Sequence, residues 1–169
     1  ISKGNISAFC VIRYFPITVN LRNEMQRLAI ENTRLGIPLL FAFDVIHGYK
    51  TIFPIPLALS CTWDTVLVKQ TARIAAREAF VSGINLTFSP MLDGSRDARW
   101  GRISESSGED VLLNMLFGEA MVKGYQGDNL TDKYSIGSCL KHFVGYGAGI
   151  GGRDYQFAEL SERALRETY

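Results

Sequence analysis

The chain alternates between short apolar runs and longer stretches with helical spacing. Four apolar runs of strand length cover residues 5–12, 37–43, 84–92 and 135–140. Between and after them, apolar residues recur every three or four positions in stretches that start near residues 20, 63, 110 and 161. The first pattern is typical of strands covered on both faces, and the second of helices with one buried face. We therefore expect an α/β fold of about four βα units, with parallel strands joined by right-handed crossovers.

The helices are expected to begin at capping residues and to bury a defined side. Asn20 is the predicted N-cap of the first helix and Ser161 that of the fourth. Thr62 opens the second helix and places Asp64 in its first turn. The small residues of the second helix that suit close packing are Val68, Ala72, Ala75 and Ala79. The predicted apolar side of the third helix consists of Val111, Leu112, Met115, Leu116 and Val122.

Three successive strands end in ionisable side chains. Asp44 follows the second strand, Asp93 the third, and Lys141 with His142 the fourth. A (β/α)8 barrel of the TIM type takes about 250 residues, so this chain predicts a partial barrel, and the carboxyl ends of barrel strands line the active site. A single ending of this kind has an equally good structural explanation, in which Lys141 reaches the surface and His142 is hydrogen-bonded in the core. Three endings of this kind predict a site.

Composition narrows the class of protein. Hydrophobic residues make up 47% of the 169 and charged residues 21%, as in a folded domain, and the net charge of +1 gives no indication of nucleic acid or an acidic membrane as partner. No apolar run approaches the roughly 18 residues that span a bilayer. The three cysteines Cys10, Cys61 and Cys139 are far apart and form no CxxC, so we expect buried free thiols rather than disulfides or a zinc site.

The two ends of the chain indicate a longer protein. The sequence opens at Ile1 without a Met, and it stops at Tyr169 within the fourth predicted helix. We expect the 169 residues to be a piece of a larger polypeptide.

Five segments carry a resemblance to a known family. They are RLGIPLLFAFDVIHG (34–48), TIFPIPLALSCTWD (51–64), INLTFSPMLDGSRDARWGRISESSGED (84–110), GSCLKHFVGYGAGIGGRDY (137–155) and LSERALRETY (160–169). In this order and spacing they resemble the N-terminal barrel domain of glycoside hydrolase family 3, in its bacterial β-glucosidase and β-xylosidase branch. The resemblance implies that residues 1–169 are a fragment of that domain, without its later strands and without the C-terminal domain.

The resemblance also implies a sugar-binding role for particular residues. Asp44, Arg102, Lys141 and His142 stand at positions that hold the sugar next to the bond being cut, and Arg153 is a further candidate. The residue types suit that task, since a carboxylate accepts from sugar hydroxyls while guanidinium and ammonium groups donate to them. Such bonds can tighten as the ring flattens toward an oxocarbenium-like transition state.

Other polar residues of the same loop have structural explanations. Arg99 competes with Arg102 for the sugar-binding role, but we expect it to brace the loop with Asp97 or Glu105. Asp93 is predicted to anchor its turn through carboxylate–backbone hydrogen bonds. Glu109 and Asp110 are placed where acidic residues favour the start of a helix.

No catalytic residue is predicted within this chain. Retaining hydrolysis needs a carboxylate nucleophile and a second carboxyl group as acid and base. The family's nucleophile lies in a Ser-Asp-Trp-type motif on a later strand, and no such tripeptide exists here. A related branch with a catalytic loop histidine typically shows KHFPGHG, whereas this chain has KHFVGYG. The difference favours the glucosidase and xylosidase branch.

Four other functions are open to these residues. Cys139 and His142 could form a hydrolase pair, but residues three apart on a strand point to opposite faces. The glycines of residues 145–152 could cradle phosphate, but no GK[ST] ending follows them. Asp44, His47 and Asp93 could bind a metal, but without metal-type spacing. A non-catalytic carbohydrate-binding protein of the same fold is the fourth.

The resemblance sets expectations for partners and location. The expected partner is an oligosaccharide or β-glucoside substrate, together with the remainder of the chain and, in addition, a second copy in a homodimer. No cofactor, metal or nucleic acid is expected. The full-length bacterial protein is expected to be periplasmic or secreted.

Overall fold

One parallel sheet organises the described residues of the chain. The computed structural model describes residues 6–10 and 18–169, with only the backbone of Phe9, so residues 5, 11 and 12 of the first predicted strand lie outside the described part. The strands are β1 (Ala8–Cys10), β2 (Leu40–Phe43), β3 (Leu86–Thr87) and β4 (Gly137–Ser138), in the spatial order β1-β2-β3-β4. All three neighbouring pairs are parallel. Parallel strands in chain order, with helices between them, confirm the α/β fold and are the arrangement of a partial (β/α)8 barrel.

The strands are shorter than the apolar runs that predict them. The run 37–43 yields four strand residues and the run 84–92 yields two. The backbone of the second run nevertheless continues beside β4, because Met91 forms a parallel bridge with Lys141. The remaining apolar residues of these runs flank the sheet without belonging to a regular ladder.

In the part of the chain that the structure describes, five α-helices connect and flank the strands. They are α1 (Val19–Glu31), α2 (Pro56–Ser60), α3 (Thr65–Val81), α4 (Val111–Gln126) and α5 (Glu162–Glu167). The short helix α2 is not predicted from the sequence; it begins with a proline, whose fixed φ suits a first helical turn. Short 3-10 turns occupy Gly101–Glu105, Tyr146–Ala148 and Ile150–Gly152.

Two of the predicted helix starts are wrong. Thr18, not Asn20, caps α1, and its Oγ1 accepts a hydrogen bond from the backbone N–H of Leu21. Asp64, not Thr62, caps α3. Its Oδ1 lies 2.9 and 3.0 Å from two backbone nitrogens, a pair of charge-assisted contacts that favours the carboxylate over a hydroxyl.

The other two helix starts agree with the sequence. Ser161 caps α5 as predicted, with its Oγ 3.2 Å from the backbone nitrogen of Ala164. Asp110 caps α4 through a 2.7 Å bond from the backbone N–H of Leu113, which confirms the acidic helix start.

Helices α3 and α4 pack closely over the sheet. The small residues predicted for α3 are all buried, and they form one core with Ile84, Phe117 and Ile136. A Cβ placed on Gly124 of α4 would lie 2.6 Å from the Cβ of Ala72 and 2.5 Å from the carbonyl oxygen of Lys69. Only glycine permits this approach of the two helices.

The predicted buried side of α4 is wrong. Val111, Leu112, Met115 and Leu116 are exposed, Val122 is half-buried, and the helix buries Leu113, Phe117, Ala120, Met121 and Tyr125 instead. Apolar residues lie on nearly every side of α4, so spacing alone does not decide which side meets α3.

The three cysteines are free but exposed, which corrects the expectation of burial. Cys10 lies in β1 and Cys139 directly follows β4, and these are the two outer strands of the sheet. Cys61 ends the short helix α2. Strand edges and helix ends leave these side chains outside the core between α3 and α4.

Candidate functional site

The ionisable residues at the strand ends converge on one edge of the sheet. Asp44 directly follows β2, and the bridge between Met91 and Lys141 extends the pairing of β3 with β4 to that same edge. Two backbone hydrogen bonds fix this extension, from Leu92 N to the Lys141 carbonyl at 2.7 Å and from Lys141 N to the Pro90 carbonyl at 3.2 Å. As a result, residues after three different strands come within contact of one another.

Lys141 forms an ion pair with Asp44. Its Nζ donates to Asp44 Oδ2 at 2.7 Å and lies 3.8 Å from Glu105 Oε2. The lysine side chain is 12% exposed and the aspartate side chain 46% exposed. The ammonium is therefore held inside the site between two carboxylates, while the Asp44 carboxylate remains open to a ligand.

Arg102 is held by a two-pronged bond to Glu105. Its Nε lies 2.8 Å from Oε1 and its Nη2 lies 2.7 Å from Oε2. The guanidinium lowers the pKa of the Glu105 carboxyl below its ordinary value, and the carboxylate raises the pKa of Arg102. The remaining Nη1 faces Nε2 of His142 at 3.3 Å.

His142 is bonded at both ring nitrogens. Its Nδ1 lies 2.8 Å from Asp93 Oδ2, and its backbone N–H donates to the same oxygen at 3.0 Å. The prediction that Asp93 anchors its own turn is therefore wrong: its carboxylate accepts a backbone hydrogen bond from the neighbouring strand end, and the imidazole shares the same oxygen.

A cluster of aromatic rings forms the wall beside these residues. The Tyr146 ring lies edge-on to His142 at 4.6 Å and to Trp100 at 5.3 Å, and Arg102 Cζ lies 5.4 Å from its centroid. Trp100 Nε1 donates to Asp154 Oδ1 at 3.1 Å. Desolvation raises the pKa of the Tyr146 phenol to about 12, so the ring is neutral at physiological pH.

Four of the five predicted site residues come together. Asp44, Lys141, Arg102 and His142 form one network through Glu105 and direct contact. Arg153 is exposed, and its Nε donates to the Ile150 carbonyl at 3.5 Å. Among the described residues it has no hydrogen bond or ion pair with the other four.

The neighbouring residues divide as the sequence indicates, with one difference. Arg99 pairs with Asp97 at 2.7 Å, which confirms its structural role. Glu105, the other partner proposed for Arg99, binds Arg102 instead. The sequence feature that indicates the pair of Arg102 and Glu105 is their i,i+3 spacing, which brings the two side chains together on a single helical turn.

Two further observations concern metals and membranes. Within residues 6–10 and 18–169 no group of three or more His, Cys, Asp and Glu side chains could hold a metal ion. The described helices are too short or too polar to cross a bilayer.

Charged donors and acceptors side by side at the strand ends suit a ligand rich in hydroxyl groups. The fold and these side chains thus define an α/β-barrel protein with a cluster of charged residues at the carboxyl ends of its strands. The chain belongs to glycosyl hydrolase family 3, since the model of the family's N-terminal domain matches residues 15–169. This match confirms the resemblance carried by the five segments.

Bacterial beta-glucosidases and a beta-xylosidase match most of this chain. The periplasmic beta-glucosidase of Salmonella typhimurium is 44% identical over 146 residues, which cover 86% of this chain and 19% of that protein. A beta-xylosidase of Formosa agariphila is 38% identical over 158 residues, covering 86% and 22%. A crystal structure of beta-glucosidase from Listeria innocua with isofagomine has a TM-score of 0.91 at 44% identity, over 98% of this chain and 23% of that one. The chain thus spans about a fifth of the length of these relatives.

Proposed function

We propose that this chain supplies the sugar-binding subsite of a retaining glycoside hydrolase that releases terminal β-D-glucosyl or β-xylosyl residues from oligosaccharides. The observation that carries the proposal is the network of Asp44, Lys141, Arg102 and His142 at the carboxyl ends of parallel strands. It supplies acceptors and donors within a few ångströms of one another, and its residue types match those that the family resemblance implies.

Each side chain has a defined task in this proposal. The half-exposed Asp44 carboxylate accepts from neighbouring sugar hydroxyls, while Lys141 and Arg102 donate to hydroxyl oxygens. Glu105 keeps both cations in place, so little rearrangement is needed when the sugar enters. These contacts orient the ring for bond cleavage, and the bonds that the Asp44 carboxylate accepts strengthen as positive charge develops on the ring.

The catalytic carboxylates belong to the remainder of the polypeptide in this proposal. Residues 1–169 form the first part of the N-terminal barrel domain, and the nucleophile and the acid/base lie beyond them. In this proposal Arg153 reaches the sugar when the loop around residues 149–157 turns its guanidinium inward. No cofactor is proposed.

Named relatives support the substrate class and location. The Listeria innocua β-glucosidase has been solved with glucose and, as a mutant, with laminaribiose. The Salmonella typhimurium relative is named a periplasmic enzyme, as is a beta-glucosidase/beta-xylosidase of Dickeya chrysanthemi. We place the full-length protein in the periplasm or outside the cell. We also propose that the full-length protein forms a homodimer, and sizing chromatography of that protein tests this.

The test is hydrolysis by the full-length protein of aryl β-glucosides and aryl β-xylosides. The proposal expects release of the aryl group, with retention at the anomeric carbon, and weakening of glucose inhibition when Asp44 is replaced by alanine. A protein that binds glucose but releases nothing from either substrate would instead be a carbohydrate-binding protein of the same fold.

A further inference from the structure

We infer that Asp93 is a positioning residue that fixes the tautomer and orientation of His142, so that Nε2 of the imidazole faces the sugar site as a hydrogen-bond acceptor. The inference deepens the proposed function and rests on it for its kinetic consequences. Its structural part stands on the contacts around the imidazole alone.

A single oxygen of Asp93 holds His142 at two points. Oδ2 accepts from the backbone N–H at 3.0 Å and contacts ring Nδ1 at 2.8 Å. A carboxylate has no proton to give at neutral pH, so Nδ1 must carry the hydrogen of this bond. The Asp93 side chain is 1% exposed, and burying its charge is tolerable because both bonds go to it.

The opposite nitrogen leads to the same tautomer. Nε2 lies 3.3 Å from Nη1 of Arg102, and a guanidinium can only donate. Nε2 must therefore accept, which leaves the ring neutral with its hydrogen on Nδ1. A hydrogen on Nε2 would point at the N–H of Arg102 Nη1, next to the positive charge of the guanidinium.

Neither neighbour is free to move away. Two bonds to Glu105 hold the Arg102 guanidinium, and the edge of Tyr146 lies against the imidazole at a centroid distance of 4.6 Å. The Asp93 backbone is fixed as well, since its carbonyl accepts from the buried hydroxyl of Ser106 at 2.9 Å. The imidazole is thus held by Asp93 on one side and by Arg102 and Tyr146 on the others.

This arrangement predicts how a sugar hydroxyl meets His142. A hydroxyl that approaches beside Nε2 and the Arg102 guanidinium can donate to the imidazole and accept from the guanidinium, in place of the direct contact between the two nitrogens. A group with no hydrogen to donate, such as a methoxy group, cannot take over the Nε2 lone pair, which then stays with Arg102. Asp93 would therefore influence sugar selection without touching the sugar.

A double-mutant cycle in the full-length enzyme tests the inference. We expect Asp93→Ala to lower kcat/KM on an aryl β-glucoside by about tenfold or more, by analogy with the loss when a carboxylate behind a metal-binding histidine is removed. In the His142→Ala background the same change should cost clearly less, because Asp93 then holds only the backbone N–H of residue 142 and no imidazole. An equal loss in both backgrounds would overturn the inference, since a general effect on folding does not depend on His142.

Asp97→Ala is the matched control. It removes a carboxylate from the same loop, but one that pairs with the exposed Arg99, and we expect its kcat/KM to stay within about twofold of wild type. If Asp93→Ala does not fold, Asp93→Asn replaces it in the cycle, with a smaller loss that should still shrink in the His142→Ala background. We expect the asparagine to keep measurable activity with its amide oxygen toward Nδ1. Full activity with the amide nitrogen toward Nδ1 would contradict the assigned tautomer.

A crystal structure of full-length Asp93→Ala, or of Asp93→Asn if the alanine variant does not fold, separates this inference from the proposed function. If the wild-type protein releases no sugar, the proposed function fails, and the position of the imidazole still decides the role of Asp93. We expect the imidazole of Asp93→Ala to turn and lose its contact with Arg102, whereas that of Asp93→Asn stays in place with the amide oxygen toward Nδ1. An alanine variant whose imidazole keeps the contact found here, 3.3 Å between Nε2 and Nη1, would show that Asp93 does not position it.

Discussion

The Nζ atom of Lys141 lies 2.7 Å from Oδ2 of Asp44, although 97 positions separate the two residues in the chain. Asp44 follows β2 and Lys141 follows the region of β4, so the ion pair reaches across the end of β3. The lysine is nearly buried and the aspartate half-exposed. The pair therefore presents a carboxylate to the ligand with its counter-charge already in place behind it.

Replacing Asp44 with alanine should lower kcat/KM on an aryl β-glucoside by orders of magnitude in the full-length enzyme. Hydrogen bonds to a charged group are worth about 1.5–3 kcal/mol each, and Asp44 is placed to make two to the sugar. Lys141 keeps a carboxylate neighbour in Glu105, so we expect the fold to persist. A loss smaller than about fivefold, at an unchanged melting temperature, would show that the sugar lies elsewhere.

Replacing Glu105 with glutamine should lower the melting temperature at neutral pH, and the difference from wild type should shrink in acid. Hydrogen bonding from Arg102 lowers the pKa of Glu105, so its stabilising contribution is present above the ordinary value of 4.5. That contribution is lost as the pH falls through the lowered folded-state value. Melting curves of both proteins, recorded at neutral pH and below 4.5, measure the effect.

Glu119→Gln is the control for this comparison. Glu119 pairs with Lys123 on the surface of α4, where both side chains are 58% exposed. An exposed pair of this kind contributes little to stability, so its removal should change the melting temperature less than removal of Glu105 does. An equal and pH-independent change in both variants would contradict the proposed importance of the Arg102–Glu105 pair.

The 169-residue chain expressed alone should hydrolyse no glycoside and should aggregate or dimerise. The sheet has two outer strands, β1 and β4, and apolar side chains stand exposed just beyond β4, among them Leu140, Phe143 and Val144. The last two residues also line an open cavity of about 270 Å³. Unpaired strand edges beside apolar surface favour association. A monomer in sizing chromatography that turns over an aryl β-glucoside would contradict both expectations.

Sequence patterns predicted which strand-end residues come together better than they predicted the details of the surrounding fold. The order of strands and helices followed from periodicity, and the ionisable residues after three strands indicated where they would meet. The capping residue of α1 and the buried side of α4 were harder to predict from the sequence. Thr18 and Asn20 are both good caps, and α4 is apolar on nearly every side, so tertiary packing made both choices.

Partner choice within the site was the part that sequence could not settle. Glu105 could have bound either Arg99 or Arg102, and only the 3-10 turn Gly101–Glu105 brings the second within reach. The contact between Asp93 and His142 joins residues 49 positions apart. This contact depends on the backbone pairing of residues 91 and 141 beyond the regular strands. No local sequence pattern predicts that pairing.

A crystal structure of the full-length protein with glucose is the most direct measurement of the central claim. The account predicts that sugar hydroxyls lie within hydrogen-bonding distance of Asp44, Arg102, Lys141 and His142, with one hydroxyl that contacts both Nε2 of His142 and the guanidinium. Glucose bound away from these four side chains, with the ion pair between Asp44 and Lys141 untouched, would contradict it.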